Sequence, residues 1–234
     1  MEKNENIQIE GNINNKRKDF FVIVLTFIIS IIVLIVLVNA LMTNSKVNEG
    51  KFRVSDVLLT STAVLEDTRD VTSKWTFNVH QNNKISILVI PSTDAFSAKL
   101  TDIAATKSGL ELYQVGHEES KINIDNTKEL KIVSTVNEDG NVLYEIEFVN
   151  RNVLQNFEIP SETTEITHDA TVFGLAGLTN KDLQYTVAFK LQIQDSTGKT
   201  SVMNISLKLP QGDIVTLGSS VNRLNLSEFV FKVK

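Results

Sequence analysis

Cysteine is absent from the 234 residues, while proline and histidine occur three times each and tryptophan once. Without cysteine there is no disulfide framework, no thiolate zinc site, no cysteine nucleophile and no cysteine-borne lipid anchor. Basic side chains are also short: 23 Lys and Arg stand against 28 Asp and Glu, a net charge of −5. Neutralising a phosphate backbone requires clustered Lys and Arg, so no nucleic-acid partner is expected.

What is present is uneven. Residues 20–42, FFVIVLTFIISIIVLIVLVNALM, form an apolar block without a charge. As a helix this block would span about 34 Å, enough to cross about 30 Å of bilayer hydrocarbon. The expectation is a signal anchor, with Phe20, Phe21, Leu25, Ile32 and Leu37 as membrane-anchoring residues. Lys16, Arg17 and Lys18 abut it and would set the topology, with the N-terminus inside. The leading tail, 1–19, carries four basic and four acidic residues, so the net −5 belongs to the rest. It reads as a disordered cytoplasmic tail, and residues 43–53 as a polar stalk. The alternative is a leader cleaved after Ala40, because Val38-Asn39-Ala40 offers small residues to a peptidase. The lipid bilayer and another envelope protein are the expected partners, and the cytoplasmic membrane the expected location, with the C-terminal region extracytoplasmic.

Beyond residue 53 a period of two takes over. A strand is expected near 54–63. In KWTFNVHQ, Trp75, Phe77 and Val79 face one way and Thr76, Asn78 and His80 the other. Gln81-Asn82-Asn83-Lys84 reads as a turn before the strand ISILVIP. Phe96, Leu100, Ile103 and Ala104 then fall on one helical face, with Ser92 or Thr93 as cap and Gly109 as stop. This predicts a helix near 94–107, a strand at 110–115 and a small mixed unit over 54–118.

The second unit, 119–234, is more purely β. ELKIVSTV and NVLYEIEFV flank Asn137-Glu138-Asp139-Gly140, and Asp-Gly between alternating strands is a strong hairpin signal. Leu183, Tyr185, Val187, Phe189, Leu191 and Ile193 alternate with polar residues that include Gln184, Thr186, Lys190 and Gln192. Met203, Ile205, Leu207 and Leu209 alternate after the turn DSTGK, and EFVFKV reads as a last strand. Half-buried antiparallel strands have this in/out pattern. On YEIEFVNRNVLQNFEIP and LQYTVAFKLQI, the stretch 128–210 resembles the immunoglobulin- or fibronectin-like β-sandwich modules of bacterial surface proteins. The resemblance implies a binding or spacer module and assigns no functional residue.

Candidate chemistry is sparse. Ser196-Thr197-Gly198-Lys199-Thr200 has the end of a phosphate-binding loop, but Ile193 stands where the first glycine belongs, and a strand-to-helix turn is missing. As a Ser-x-x-Lys nucleophile it lacks companion motifs; a hairpin turn accounts for it. His80, His117 and His168 have no partner at metal-ligand spacing. Asp67 and Asp70, Asp125-Asn126, and Glu138-Asp139 offer oxygens to calcium without the spacing of an EF-hand loop. Trp75 reads as core filling. No catalytic residue, cofactor or metal site is expected.

The fold class expected is therefore a single N-terminal transmembrane helix followed by a mostly-β extracytoplasmic region, a small α+β unit plus an Ig-like antiparallel β-sandwich. The expected function is a non-catalytic envelope scaffold or protein-binding adaptor. An exposed strand face carrying Gln184, Thr186 and Gln192 is the expected docking surface. The alternatives are an oligomerising subunit of a secretion, pilus or spore-channel assembly, and a cell-wall hydrolase.

Overall fold

A computed structural model describes residues 52–68, 75–91, 95–160, 162, 163 and 165–234. Twelve strands are arranged in two antiparallel sheets: β1 (Phe52–Asp67), β2 (Thr76–Pro91), β3 (Ala95–Ala105), β4 (Leu110–Gln114), β5 (His117–Asn123), β6 (Glu129–Ile132), β7 (Thr135–Val136), β8 (Val142–Glu158), β9 (Tyr185–Asp195), β10 (Thr200–Leu209), β11 (Ser219–Arg223) and β12 (Lys232–Val233). The first sheet runs β11-β1-β2-β8-β4-β5, with β7 also on β8; the second runs β12-β10-β9-β3-β6. Three short helices, α1 (Thr171–Leu175), α2 (Asn180–Leu183) and α3 (Ile214–Leu217), complete the described body.

Alternation builds the main core. Val57, Leu59, Ile85, Ile87, Tyr144, Ile146 and Phe148 point inward from the first sheet and meet Leu100, Val187, Phe189, Leu191 and Ile205 from the second. The rings of Phe148 and Phe189 touch across the layers, centroids 5.8 Å apart. Strands β1, β2 and β8 have 16, 16 and 17 residues, against 11 for β9 and 10 for β10. Their far ends are covered by the helices. Ala63, Phe77 and Val79 form a second core with Val172, Phe173, Leu183 and Ile214. The capping box of Thr179 and Asp182 opens α2. Asn180 then links α2 to α3 by accepting from the amides of Ile214 and Val215, at 2.9 and 3.3 Å.

Polar groups are buried on the long strands beside both cores. Ser61 Oγ donates to Asn83 Oδ1 at 2.7 Å, Asn83 Nδ2 donates to the Tyr185 hydroxyl at 2.8 Å, and Asn150 Nδ2 donates to Gln81 Oε1 at 3.2 Å. The turn expected at Gln81–Lys84 is therefore absent: β2 runs straight through, and Gln81 and Asn83 are fully buried. The Asn83 amide and the Gln81 carbonyl oxygen tolerate burial because distant side chains bond them, whereas Gln81 Nε2 has no hydrogen-bond partner among the described residues.

The helix expected near 94–107 is strand β3. Its i, i+3 spacing of Leu100 and Ile103, both buried, arises from a β-bulge. Asp102 sits there with φ +52, and the register against β9 shifts between Thr101 and Ala104. One extra residue turns two inward positions from a separation of two into three, which imitates a helical period.

Among the described residues there is no separate mixed unit, because β1, β2, β4 and β5 share a sheet with β8, and β3 pairs with β6 and β9. The segment ELKIVSTV changes sheets: β6 lies on β3, and β7 on β8. At the crossing, the Gln114 amide brackets the Val133 backbone, donating to its carbonyl at 2.6 Å and accepting from its N–H at 2.7 Å. Among EFVFKV, only Lys232 and Val233 form a strand, while Phe229 and Phe231 enter the core.

The expected fold class and membrane location are also corrected. Among the described residues no helix is long and apolar enough to cross a membrane. The longest has five residues, about 7.5 Å against about 30 Å of hydrocarbon. Single-pass placement in the cytoplasmic membrane is therefore not supported. The expected anchor (Phe20, Phe21, Leu25, Ile32, Leu37) and topology residues (Lys16, Arg17, Lys18) lie outside the described residues.

Candidate functional site

The outward face of the second sheet gathers an excess of positive charge. Register places Lys131, Lys99, Gln192, Val202 and Lys232 in one line across β6, β3, β9, β10 and β12. A second line holds Glu129, Thr101, Lys190 and Asn204. Alternation aims these residues outward because Ala98, Leu100, Leu191 and Met203 beside them face the core. Two adjoining depressions, about 760 and 850 Å³, share Lys99, Glu129 and Gln192 and make one groove across the strands. Six lysines line it, at positions 99, 128, 131, 190, 232 and 234, against the carboxylates of Asp102 and Glu129.

Both carboxylates are engaged within the groove. Lys99 Nζ lies 2.9 Å from Glu129 Oε2, and Lys190 Nζ lies 2.6 Å from Asp102 Oδ2. Lys128 Nζ donates to the Ile124 carbonyl at 2.7 Å, and Gln192 Nε2 donates to Thr101 Oγ1 at 2.7 Å. Lys131 and Lys232 make no ion pair among the described residues. Tyr144 lines the groove from below, 1% exposed, and its hydroxyl has no hydrogen-bond partner within bonding geometry among the described residues. Burial pushes its pKa up to about 12, an effect that Ser134 offsets only in part.

The opposite face, on the first sheet, neutralises itself. Glu145 pairs with Lys84 at 3.4 Å, Asp56 with Arg223 at 3.0 Å, and Glu111 with Arg151 at 2.8 Å and Lys121 at 3.2 Å. Partial burial raises the Glu111 pKa, but Arg151 and Lys121 outweigh it and hold the carboxyl below its usual range. Tyr113 donates to Glu147 Oε2 at 2.7 Å; burial first, then that carboxylate, push its pKa well above the ordinary phenol value.

The residues singled out in the sequence do not converge. His80, expected on an outward face, is 5% exposed, with Nε2 3.2 Å from Glu66 Oε2. His117 lies 3.4 Å from Glu119 on the exposed β5. His168 packs on Gly218 and bonds the Thr216 carbonyl at 3.0 Å. Ser196–Lys199 is the β9–β10 turn, held by Asp195 Oδ1, which accepts from the Thr197 and Lys199 amides at 2.9 and 3.0 Å. Asp125 accepts from the Gly109 amide at 2.6 Å, and Glu138 and Asp139 occupy the β7–β8 turn; Asp70 lies outside the described residues. No group of three or more His, Cys, Asp and Glu side chains able to hold a metal occurs among the described residues. Trp75, expected in the core, is 57% exposed and stacks on Phe77, centroids 6.0 Å apart. It shares Phe77's face but lies beyond the helical cover.

Of the docking residues expected, Gln192 lines the groove, and Thr186 lies opposite Lys208 on the same face. Gln184 ends α2 instead of joining β9. The lysines were missed because they come from strands remote in sequence, and Lys99 lies in the segment read as a helix. No protein family, curated protein or solved structure matches the chain.

Proposed function

We propose that the chain is a non-catalytic binding module that docks another protein on the outward face of its second sheet. The observation that carries this is the gathering of six lysines along one groove in a chain of net charge −5. A sheet face with like charges left unpaired is a destabilising arrangement unless something complements it. The separation of the histidines supports the non-catalytic part: His80, His117 and His168 each contact a different partner, Glu66, Glu119 and the Thr216 carbonyl.

The test is site-specific photo-crosslinking of the full chain in its native cells. A photoreactive residue at Asn204, exposed in the groove, should give a discrete protein adduct. The same probe at Thr60, on the outward face of β1, should give none. Equal adducts from both positions, or none from Asn204, would exclude the reading.

A further inference from the structure

We infer that the groove receives an extended acidic polypeptide segment lying across the strands, with several carboxylates on one face of the segment. This rests on the docking reading above and adds the chemistry of the partner. The geometry points to it through spacing. Lys99 and Lys232 are three strand steps apart in one register line, about 14 Å at about 4.8 Å per step. In an extended chain, residues i and i+4 lie on one face about 13.6 Å apart. Lys131 is one further step beyond Lys99, within reach of a carboxylate at i−2. Val202 occupies the line between Gln192 and Lys232, and Val233 beside it is 58% exposed. An apolar side chain at i+2 fits that stretch.

The lining separates this ligand from a phosphate polymer. Among the described residues no arginine lines the groove, and the one aromatic ring that does, Tyr144, is buried below it. Planar bidentate phosphate recognition favours arginine, and single-stranded nucleic acid needs exposed aromatic rings for stacking. The side chains of Gln192, Gln194, Asn126 and Asn204 instead supply amide donors and acceptors suited to a peptide backbone.

The experiment is a titration of the full chain with a blocked peptide, Glu-Ser-Glu-Ser-Leu-Ser-Glu, followed by fluorescence anisotropy. The parallel ligands are the peptide with Gln at each Glu position, a dodecamer of thymidine, and inorganic polyphosphate. The acidic peptide should bind with an affinity that falls as salt rises, and the Gln peptide should not bind. The variant Lys99→Gln/Lys131→Gln/Lys232→Gln should keep its melting temperature and lose affinity by about tenfold or more, while Lys121→Gln on the other sheet changes nothing. Equal binding of the Gln peptide, an unaffected triple variant, or tighter binding of DNA or polyphosphate would each overturn the inference. An adduct at Asn204 without peptide binding would reject the acidic segment and leave the docking reading in place.

Discussion

The Asn83 amide on β2 donates to the Tyr185 hydroxyl on β9 at 2.8 Å, a side-chain hydrogen bond between the two sheets in buried surroundings. Asn83 is fixed from the other side by Ser61 at 2.7 Å, so the tyrosine oxygen has a held donor to meet. Tyr185→Phe should therefore cost about 1–3 kcal/mol, because it strands a buried amide. Tyr144→Phe removes a buried hydroxyl with no partner, and should leave stability unchanged or slightly raised. Denaturant unfolding of the pair is the measurement; equal losses would mean that the Tyr144 oxygen is bonded after all.

Position along β9 sets a second contrast. Phe189 is 2% exposed against Phe148, whereas its neighbour Lys190 faces outward toward Asp102. Phe189→Ala should destabilise by about 3–5 kcal/mol. Lys190→Ala should change stability by less than about 1 kcal/mol, as for other exposed ion pairs. Similar midpoint shifts for both would place the strand in a different register.

Alkaline pH should unfold the protein through its tyrosines. The chain has three, and burial raises the pKa of each: Tyr113, Tyr144 (to about 12) and Tyr185. The unfolded chain releases these protons near about pH 10, while the folded chain retains them. Their contribution to stability is complete below that pH and is lost as pH rises through the folded values. Phenolate absorbance should stay flat through pH 10 and then rise steeply together with loss of circular dichroism. A gradual rise centred at pH 10 in the folded protein would contradict the burial of these rings.

Two glycines separate backbone conformation from space. Gly218 has φ +81, and a Cβ there would stand 2.8 Å from the His168 ring; Gly140 has φ +78 with nothing within 4 Å. Gly140→Ala should cost about 1 kcal/mol for the left-handed backbone alone. Gly218→Ala should cost more, about 2–3 kcal/mol, because the imidazole must also move off the Thr216 carbonyl. Thermal unfolding of both variants checks the order.

The regular strands were legible because their burial alternates along the sequence. Val142, Tyr144, Ile146 and Phe148 are all buried, as are Val187, Phe189, Leu191 and Ile193, and these sets follow from a period of two. Features that depend on distant partners were not legible. The polar run at 81–84 reads as a turn until Ser61, Asn150 and Tyr185 are placed around it. Trp75 follows the pattern of Phe77, but only the limit of the helical cover decides that one is exposed and the other buried. The lysine line was invisible for the same reason, since it is created by the pairing of five strands.

The bulge in β3 fixes where this strand can change length. Omitting Asp102 leaves Leu100, Thr101, Ile103, Ala104 and Ala105 in unbroken alternation, with the same residues, Leu100, Ile103 and Ala105, directed to the core. Omitting Lys99 instead, between the inward Ala98 and Leu100, would invert one half of the strand relative to the other. Position 102 is thus a point at which β3 absorbs a single-residue deletion without exchanging its wet and dry faces, and the cost of that deletion is the carboxylate that meets Lys190.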